Sequence, residues 1–505
     1  MKCAPQRPSP WRRGDGGEGV SELSATLMMH ADGSNSGDLS LPLLTPGLSP
    51  RRERGERAES TPDALDRLGE AIARATQDLP LVRLGGRVSA VTPGFYRVDG
   101  LSSFLKLGER VVLPGGIRGR DQIGEVVRID AGGATVKPFE GSVDAHLGTP
   151  VWRMEAVSLH PHPQWRGRVI DALANPIDGG PALPLGDHRV FPFAEPPPAM
   201  DRARVGGHLR TGVRIVDLFT PLCAGQRIGI FAGSGVGKST MLSMLAGAEG
   251  FDTVVIALVG ERGREVREFL EETLGEARSK AVMVVSTGDE SPMMRRLAPN
   301  TAMAVAEYFR DRGEKVLMIV DSVTRYAHAA RDVALAAGEP AVSRGFPPSV
   351  FSDLPRLLER AGPGFEGGGS ITGLFSVLVD GDDHNDPVAD NIRGTLDGHI
   401  VLDRTIADRG RFPAMDPLGS ISRLARKVWS AEEQGVVRRF LALVARFEET
   451  RDLRLMGGYQ PGHDPDLDQA VTIVPRLYDA LRQDPASPRS QDPFREIAGM
   501  LQQKG

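Results

Sequence analysis

The chain has 505 residues, and a typical domain size of about 150 residues predicts roughly three domains. Its composition, 40% hydrophobic and 25% charged, argues against a wholly disordered chain and against a coiled-coil rod. The net charge of -5 gives no reason to expect nucleic-acid binding, which needs a basic face.

The cysteine content and the apolar runs indicate the compartment. Cys3 and Cys223 are far apart and lack metal-ligand spacing, which argues against a disulfide framework and a zinc site and favours a reducing compartment. No run approaches 18 apolar residues, and the N-terminus has no apolar signal region. We therefore expect a soluble cytoplasmic protein.

Residues 1–61 differ in composition from the rest of the chain. They are rich in Gly, Pro and Ser, and a run of charged residues covers 51–57. Such a segment buries too little apolar surface to offset the entropy lost on ordering, which predicts a disordered extension. The alternative is a misassigned start codon, with translation beginning at Met28, Met29 or a non-Met codon.

Residues 62–78 carry the pattern of an amphipathic helix. Pro62 fits the first helical position, and Leu65, Leu68 and Ile72 share one face. A helix of this length is marginal in isolation, so we expect it to dock on its own barrel or on a partner protein.

The next two segments precede the region of apolar strands. Short alternating runs between glycine-rich turns over 79–154 are typical of a small β-barrel or a sandwich, and we expect a small N-terminal β-barrel. Residues 155–224 are rich in loops and proline, which is typical of a connector leading into the core.

Residues 225–429 alternate apolar runs with helical periods, which indicates a mainly parallel sheet covered on both faces. After residue 429 the apolar runs stop. Ser430 and Glu433 form a capping box before a helical period, and Asp464 and Asp492 begin further helices. Residues 430–505 are therefore predicted to be an all-α domain. The fold class is multi-domain, with barrel, α/β core and helical domain in that order.

A glycine-rich loop follows the apolar run that ends at Phe231, and it consists of Ala232, Gly233, Ser234, Gly235, Val236, Gly237, Lys238, Ser239 and Thr240. This is a phosphate-binding loop between a strand and a helix start, with Ala232 where the pattern usually has glycine. Its backbone N–H groups and the helix N-terminus suit a β-phosphate. Lys238 can reach the β- and γ-phosphates, and Ser239 can bind Mg²⁺. The loop predicts a nucleotide site.

Two carboxylates at strand ends complement this loop. Asp321 ends the apolar run 315–321, which is typical of a Walker-B carboxylate that holds Mg²⁺ through water. An ordinary helix-capping aspartate is the alternative. Glu261 follows the apolar run 254–259, where it could orient the attacking water. Periodicity favours this role no more than that of a solvated surface charge.

The chain resembles a known family in several of these runs. The phosphate-binding loop, residues 260–266 and residues 321–327 resemble the hexameric ATPases related to the catalytic subunit of rotary ATP synthases. Residues 344–362 and 397–402 resemble the type III secretion branch, and within it the flagellum-specific export ATPases. The resemblance runs from about residue 79 to the C-terminus. It implies a RecA-like P-loop ATPase core.

The resemblance implies roles for four residues outside the phosphate-binding loop. Glu261 would polarise the lytic water, where non-catalytic subunits of rotary synthases usually carry Gln. Arg325 would contact the γ-phosphate of its own subunit, and Arg423 would reach the site of the neighbouring subunit. Phe412 would stack on adenine, where rotary synthases commonly have Tyr. A surface salt bridge for Arg423 and core packing for Phe412 are the alternatives.

The resemblance also implies a function. Six subunits would form a ring that hydrolyses ATP with Mg²⁺ and helps release flagellar export substrates from chaperones to the membrane export gate. A dimeric regulatory protein would bind the N-terminal helix, and the ATPase would be cytoplasmic and peripherally associated with the inner-membrane export apparatus. The alternatives are the ATPase of a virulence-type injectisome and an RNA-translocating ring helicase. The net charge of -5 does not support the helicase, so no nucleic-acid partner is expected.

Overall fold

The computed structural model divides the chain into two units, Met1–Val82 and Arg83–Gly505. It describes Leu65, Leu68, Gly69 and residues 83–115, 119–379 and 386–502. The three described residues of the first unit are helical. The predicted extension 1–61 and the rest of the predicted helix 62–78 lie outside the described residues. Within the described ranges, no helix is both long and apolar enough to cross a membrane.

Six antiparallel strands close into a barrel at the start of the second unit. Their bounds are β1 Gly85–Val91, β2 Tyr96–Asp99, β3 Arg110–Leu113, β4 Gln122–Asp130, β5 Gly133–Pro138 and β6 Pro150–Met154. Tyr96 and Val98 point into the barrel and are fully buried, whereas Asp99 is exposed. This alternation is what a strand with one buried face requires. The predicted N-terminal β-barrel is confirmed.

A nine-stranded sheet forms the central core, in the order β17-β16-β10-β15-β13-β11-β12-β7 with β14 beside β15. Its strands are β7 Val169–Ile170, β10 Arg227–Ala232, β11 Thr253–Glu261, β12 Ala281–Thr287, β13 Lys315–Asp321, β14 Gly362–Pro363, β15 Ser370–Leu378, β16 Gly398–Leu402 and β17 Met415–Ser422. Among the described strands of this sheet, the β14–β15 and β16–β17 pairs are antiparallel and the other pairs are parallel. A small two-stranded sheet contains β8 His208–Leu209 and β9 Leu222–Cys223. The predicted mainly parallel core is confirmed.

Helices cover both faces of this sheet. The helices in the described part of the second unit are α1 Arg214–Phe219, α2 Lys238–Ala246, α3 Gly263–Glu268, α4 Pro292–Arg310, α5 Val323–Ala336, α6 Pro348–Glu359, α7 Pro387–Thr395, α8 Arg404–Asp408, α9 Ala425–Val428, α10 Ala431–Glu449, α11 Arg451–Leu455, α12 Pro465–Leu481 and α13 Pro493–Gln502. Shorter turns are a π-helical turn at Phe269–Thr273 and 3-10 helices at Pro163–Trp165 and Gly275–Lys280.

Strand β11 shows why its sequence is a continuous apolar run. Val255, Ala257 and Val259 pack in the core on one face, whereas Val254 and Ile256 pack in the core on the other. A strand that is buried on both faces has no solvent side, so its residues do not alternate between apolar and polar.

The C-terminal part of the second unit is helical from Ala425 onward. The predicted capping box begins α10: Glu433 N donates to Ser430 Oγ at 3.2 Å, and Ser430 N donates to Glu433 Oε2 at 2.7 Å. Asp464 caps α12 by accepting from two backbone N–H groups. The predicted helical C-terminus is confirmed.

Candidate functional site

The phosphate-binding loop connects the carboxyl end of β10 to α2, as its sequence predicts. Gly235 and Gly237 have φ values of +78° and +91°, in the left-handed region where a Cβ is strained. Ala232 is the last residue of β10, is buried, and pairs with Leu378 of β15. Its departure from glycine is accommodated because the strand needs no unusual backbone there.

Lys238 lies between the two carboxylates that the sequence singles out. Its Nζ forms an ion pair with Asp321 Oδ1 and lies 3.8 Å from Glu261 Oε1. The buried Ser376 also donates from Oγ to Asp321 Oδ1, at 2.9 Å. The neighbours β10, β15, β13 and β11 are parallel, so their carboxyl ends bring these residues to one edge of the sheet. Ser376 has no sequence motif that would have revealed it.

Glu261 is a partly buried carboxyl group with an unusual environment. Burial raises its pKa to about 7, and Asp321 contributes in the same direction, whereas Lys238 and Arg325 oppose the shift. Its Oε1 lies 3.3 Å from Arg325 Nε and has no hydrogen-bond partner among the described residues. A carboxyl group that titrates near neutral pH is suited to accept a proton from water.

The backbone before Glu261 fits closely against Arg325. Gly260 has a φ of +70°, and a Cβ built on it would lie 2.8 Å from Arg325 Cδ. Glycine at this position therefore permits both the left-handed backbone and the close approach of the arginine side chain.

The oxygen donors at this edge fit Mg²⁺. Ser239 lies in the first turn of α2, and Asp321 ends β13. No group of three or more His, Cys, Asp or Glu side chains able to hold a metal occurs in the described part of the chain. Mg²⁺ commonly takes only one or two protein oxygens and completes its shell with phosphates and waters, so this sparse set is compatible with a nucleotide-bound Mg²⁺.

The other side of the loop contacts the segment between β16 and β17. A Cβ built on Gly237 would lie 3.5 Å from Cδ1 and Cε1 of Phe412, whose side chain is 43% exposed. An exposed ring beside a phosphate-binding loop is available to stack on a base. Arg404 Nη2 donates to Ser234 O at 2.9 Å. Sequence reasoning missed Arg404, because no spacing rule connects it to the loop.

Arg423 is not brought to the site of its own subunit. In the sheet register, Ser422 pairs with Gly398, whereas Leu402 lies beside Ala232. The five residues from Gly398 to Leu402 span about 13 Å along the strand, and the phosphate-binding loop lies beyond. Arg423 is exposed and follows β17, the last strand in the sheet order.

Comparisons with protein families cover the core and the C-terminus. The model of the ATP synthase alpha/beta family, nucleotide-binding domain, matches residues 212–422. The model of the T3SS EscN ATPase C-terminal domain matches residues 429–503.

Curated relatives match over most of their length. The chain is 54% identical over 450 residues to the flagellum-specific ATP synthase of Rhizobium meliloti, covering 89% of this chain and 96% of that protein. The flagellum-specific ATP synthase of Agrobacterium fabrum is 56% identical over 419 residues, covering 83% and 88%. The SPI-2 type 3 secretion system ATPase of Salmonella typhimurium is 45% identical over 374 residues, covering 73% and 84%.

Solved structures share the fold. The assembled ATPase EscN of the enteropathogenic E. coli type III secretion system has a TM-score of 0.75 and 37% identity, covering 82% of this chain and 100% of that chain. EscN in complex with its central stalk EscO has a TM-score of 0.74 and 36% identity, with the same coverage. With its phosphate-binding loop, its two strand-end carboxylates and these relatives, the chain belongs to the flagellum-specific ATP synthases, a family of ATPases that shares the ATP synthase alpha/beta nucleotide-binding domain.

Proposed function

We propose that this ATPase works with Mg²⁺ in a ring of six identical subunits and energises or assists flagellar type III protein export. The observation that carries the catalytic part is the position of Lys238, whose Nζ is paired with Asp321 and lies 3.8 Å from Glu261 Oε1. The Lys238 ammonium group, a carboxylate suited to bind Mg²⁺ and a partly buried carboxyl group thus lie together beside one phosphate-binding loop.

Each residue of this cluster has a role in the proposed hydrolysis. Glu261 accepts a hydrogen bond from the attacking water and aligns it with the γ-phosphorus. Lys238 and Arg325 neutralise the negative charge that develops on the transferring γ-phosphoryl group. Ser239 and Asp321 would hold Mg²⁺, which when bound to ATP neutralises phosphate charge. Residues 232–240 bind the phosphates, and Phe412 stacks on adenine.

The proposed ring follows from the position of Arg423. An exposed arginine beyond the reach of its own phosphate-binding loop is available to complete a site on a neighbouring copy. The solved EscN structure is described as assembled, which supports an oligomer of related chains. In this proposal Arg423 touches the γ-phosphate bound by the next subunit.

Other partners are proposed by the family relationship. EscN was solved with its central stalk EscO, which supports a comparable partner for this chain. We propose that a dimeric regulatory protein binds residues 62–78 and that chaperone–substrate complexes and export-gate membrane proteins are further partners. The proposed location is the cytoplasm, at the periphery of the inner-membrane export apparatus.

A second candidate is the ATPase of an injectisome, which is favoured by the EscN structures and the SPI-2 relative. Deletion of the gene, scored separately for flagellar filaments and for effector secretion, decides between the two. Loss of filaments alone supports the flagellar role, and loss of effector secretion alone supports the injectisome. Retention of both overturns a role in export. Turnover that RNA does not stimulate would argue against the helicase alternative.

A further inference from the structure

The Phe412 loop, defined here as residues 403–414, is a closed loop between β16 and β17. Asp403 N donates to Ala414 O at 2.9 Å and closes its base. Phe412 lies against Gly237 near one end, and Arg404 donates to Ser234 O near the other. The loop therefore contacts the phosphate-binding loop at two points.

The middle of the Phe412 loop is held by the C-terminal helices. Arg411 is 9% exposed, and its Cζ lies 3.6 Å from the ring centroid of Tyr478 in α12. The Tyr478 hydroxyl donates to Glu448 Oε1 of α10 at 2.7 Å. Arg409 Nη1 lies 3.5 Å from Glu448 Oε2. Two arginines of the loop are thus fixed by one tyrosine and one glutamate of the helices.

A backbone contact adds to this attachment. Gln483 N donates to Phe412 O at 3.0 Å, directly after α12. The buried Gln483 side chain donates to Gly212 O at 2.8 Å and accepts from Arg214 N at 3.0 Å. The hydrogen bond from Gln483 N fixes the backbone of Phe412. The preceding residue, Arg411, makes the contacts with the helices described above.

A ring that stacks on a base must be held in place before the base arrives, because ordering it on binding costs free energy. The Phe412 side chain is about half exposed, whereas the adjacent Arg411 is buried against an aromatic ring. A desolvated guanidinium over a ring is one of the stronger contacts that such a loop can make.

We propose that Arg411 and Tyr478 are positioning residues that hold Phe412 over the phosphate-binding loop, so that the C-terminal helices set the apparent affinity for ATP. This inference rests on the proposed role of Phe412 in stacking adenine. It assigns no contact with ATP to Arg411 or Tyr478 themselves.

The chain contains a matched control for this contact. Arg454 Cζ of α11 also lies 3.6 Å from a ring centroid, that of Phe447 in α10, and its partner belongs to the helices rather than to the Phe412 loop. Both arginines have a buried Nε without a hydrogen-bond partner among the described residues. Arg411→Met and Arg454→Met each remove a cation–π contact, and only that of Arg411 is next to Phe412. Arg454→Met also removes the bond from Arg454 Nη2 to Phe447 O at 2.6 Å, so it perturbs the helices at least as much.

The test measures steady-state ATP hydrolysis of the full chain with Mg²⁺, together with binding of an ADP that carries a fluorescent ribose label. We expect Arg411→Met to raise KM and the Kd of labelled ADP about fivefold, with kcat within about twofold, because only part of the free energy of a desolvated cation–π contact is transmitted to the position of Phe412. Arg454→Met is expected to leave both constants near wild type. Tyr478→Leu should raise KM and the Kd of labelled ADP as much as Arg411→Met does. Tyr478→Phe keeps the aromatic ring, so both constants should stay near wild type.

Three results would overturn the inference: equal KM for Arg411→Met and Arg454→Met, equal KM for Tyr478→Leu and Tyr478→Phe, or an effect on kcat alone. Where Arg411→Met does not fold, judged by its melting temperature, the Tyr478 pair decides. Phe412→Ala separates this inference from the role on which it rests. If Phe412→Ala raises KM and Arg411→Met does not, only the inference falls; if Phe412→Ala leaves KM unchanged, the adenine role is wrong as well.

Discussion

Glu261 Oε1 lies 3.3 Å from Nε of Arg325, so the proposed base and the proposed γ-phosphate ligand share one edge of the central sheet. Because the carboxylate must accept hydrogen bonds from water, its amide counterpart should bind ATP but fail to activate the nucleophile. We expect Glu261→Gln to retain binding of Mg-ATP and to lower kcat by at least ~10²-fold, the low end for a positioned proton-transfer group. Equilibrium nucleotide binding and turnover, measured on the same preparation, check this.

Lys238→Ala is the contrasting variant and should weaken triphosphate binding itself. Near wild-type hydrolysis by Glu261→Gln would show that the base is another residue.

The raised pKa of Glu261 predicts how kcat/KM depends on pH. The carboxyl group of the free enzyme titrates near pH 7, and only its ionised form acts as a base. We expect kcat/KM to fall as pH decreases through about 7, with a slope of one proton. A profile that stays flat down to pH 5.5 would contradict this assignment.

The same shift predicts how stability depends on pH. A folded-state pKa near 7, above the ordinary value of 4.5, means that ionisation of Glu261 destabilises the fold as pH rises from about 4.5 to 7. Glu261→Gln removes this cost. The melting temperature of the variant relative to wild type should therefore increase between pH 5.5 and pH 8, in the absence of nucleotide. A difference in melting temperature that is constant over this pH range would mean that burial does not raise the pKa of Glu261.

Arg423→Ala tests the contribution of the neighbouring subunit. We expect it to bind nucleotide normally and to turn over about 10³- to 10⁵-fold more slowly, the range for an arginine finger. Arg426→Ala, at an exposed position in α9, is the control and should retain activity. Mixing Arg423→Ala with Lys238→Ala should restore part of the activity, because some interfaces then combine an intact loop with an intact arginine. Mixed rings without recovery would place Arg423 in its own subunit or outside catalysis.

Arg404 should affect nucleotide affinity through the phosphate-binding loop. Its guanidinium donates to Ser234 O at 2.9 Å, and its loss frees the tip of that loop. We expect Arg404→Ala to raise the KM for ATP about threefold, a modest effect because the bond is exposed. Arg404→Lys keeps a hydrogen-bond donor, so its KM for ATP should lie between those of Arg404→Ala and wild type. Unchanged KM in Arg404→Ala would show that the bond does not position the loop.

Deletion of residues 1–78 tests the proposed regulatory contact. The truncated chain should keep its ATPase activity, since the described catalytic residues all lie beyond it, and should lose binding to the dimeric regulatory protein. Deletion of residues 1–61 is the matched control and should retain binding, because it keeps residues 62–78. If the chain that lacks residues 1–78 binds the regulatory protein as strongly as the full chain does, the contact lies outside residues 62–78. Co-elution of the purified proteins measures both outcomes.

The sequence predicts those parts of the site that are local patterns. Glycine-rich turns, a strand followed by a carboxylate and a capping box each occupy a few adjacent residues, so Lys238, Asp321 and Glu261 are recognisable. Ser376 reaches Asp321 only because β15 lies beside β13 in the sheet, and Arg404 reaches the phosphate-binding loop only because β16 lies beside β10. Sequence periodicity does not encode which strands become neighbours.

The connector, residues 155–224, is a part of the fold whose pairing in the sheet the sequence pattern does not predict. Residues 155–224 are predicted to be a connector leading into the core, yet Val169 and Ile170 form β7, which extends the central sheet beside β12. A two-residue strand has no periodicity to detect. The parallel strands and the C-terminal helices, in contrast, are long enough for their burial patterns to be evident.

The separation of Arg423 from its own phosphate-binding loop has a consequence for the amount of enzyme. In the proposed ring, where Arg423 completes the site of a neighbouring copy, one chain alone contains the parts of two half-sites and no complete site, so the specific activity should depend on protein concentration. Dilution would then abolish ATPase activity without changing the fold of each chain. A high local concentration of chains at one place in the cell would restore the activity. Recruitment of subunits to a common surface is then sufficient to confine ATP consumption to that place.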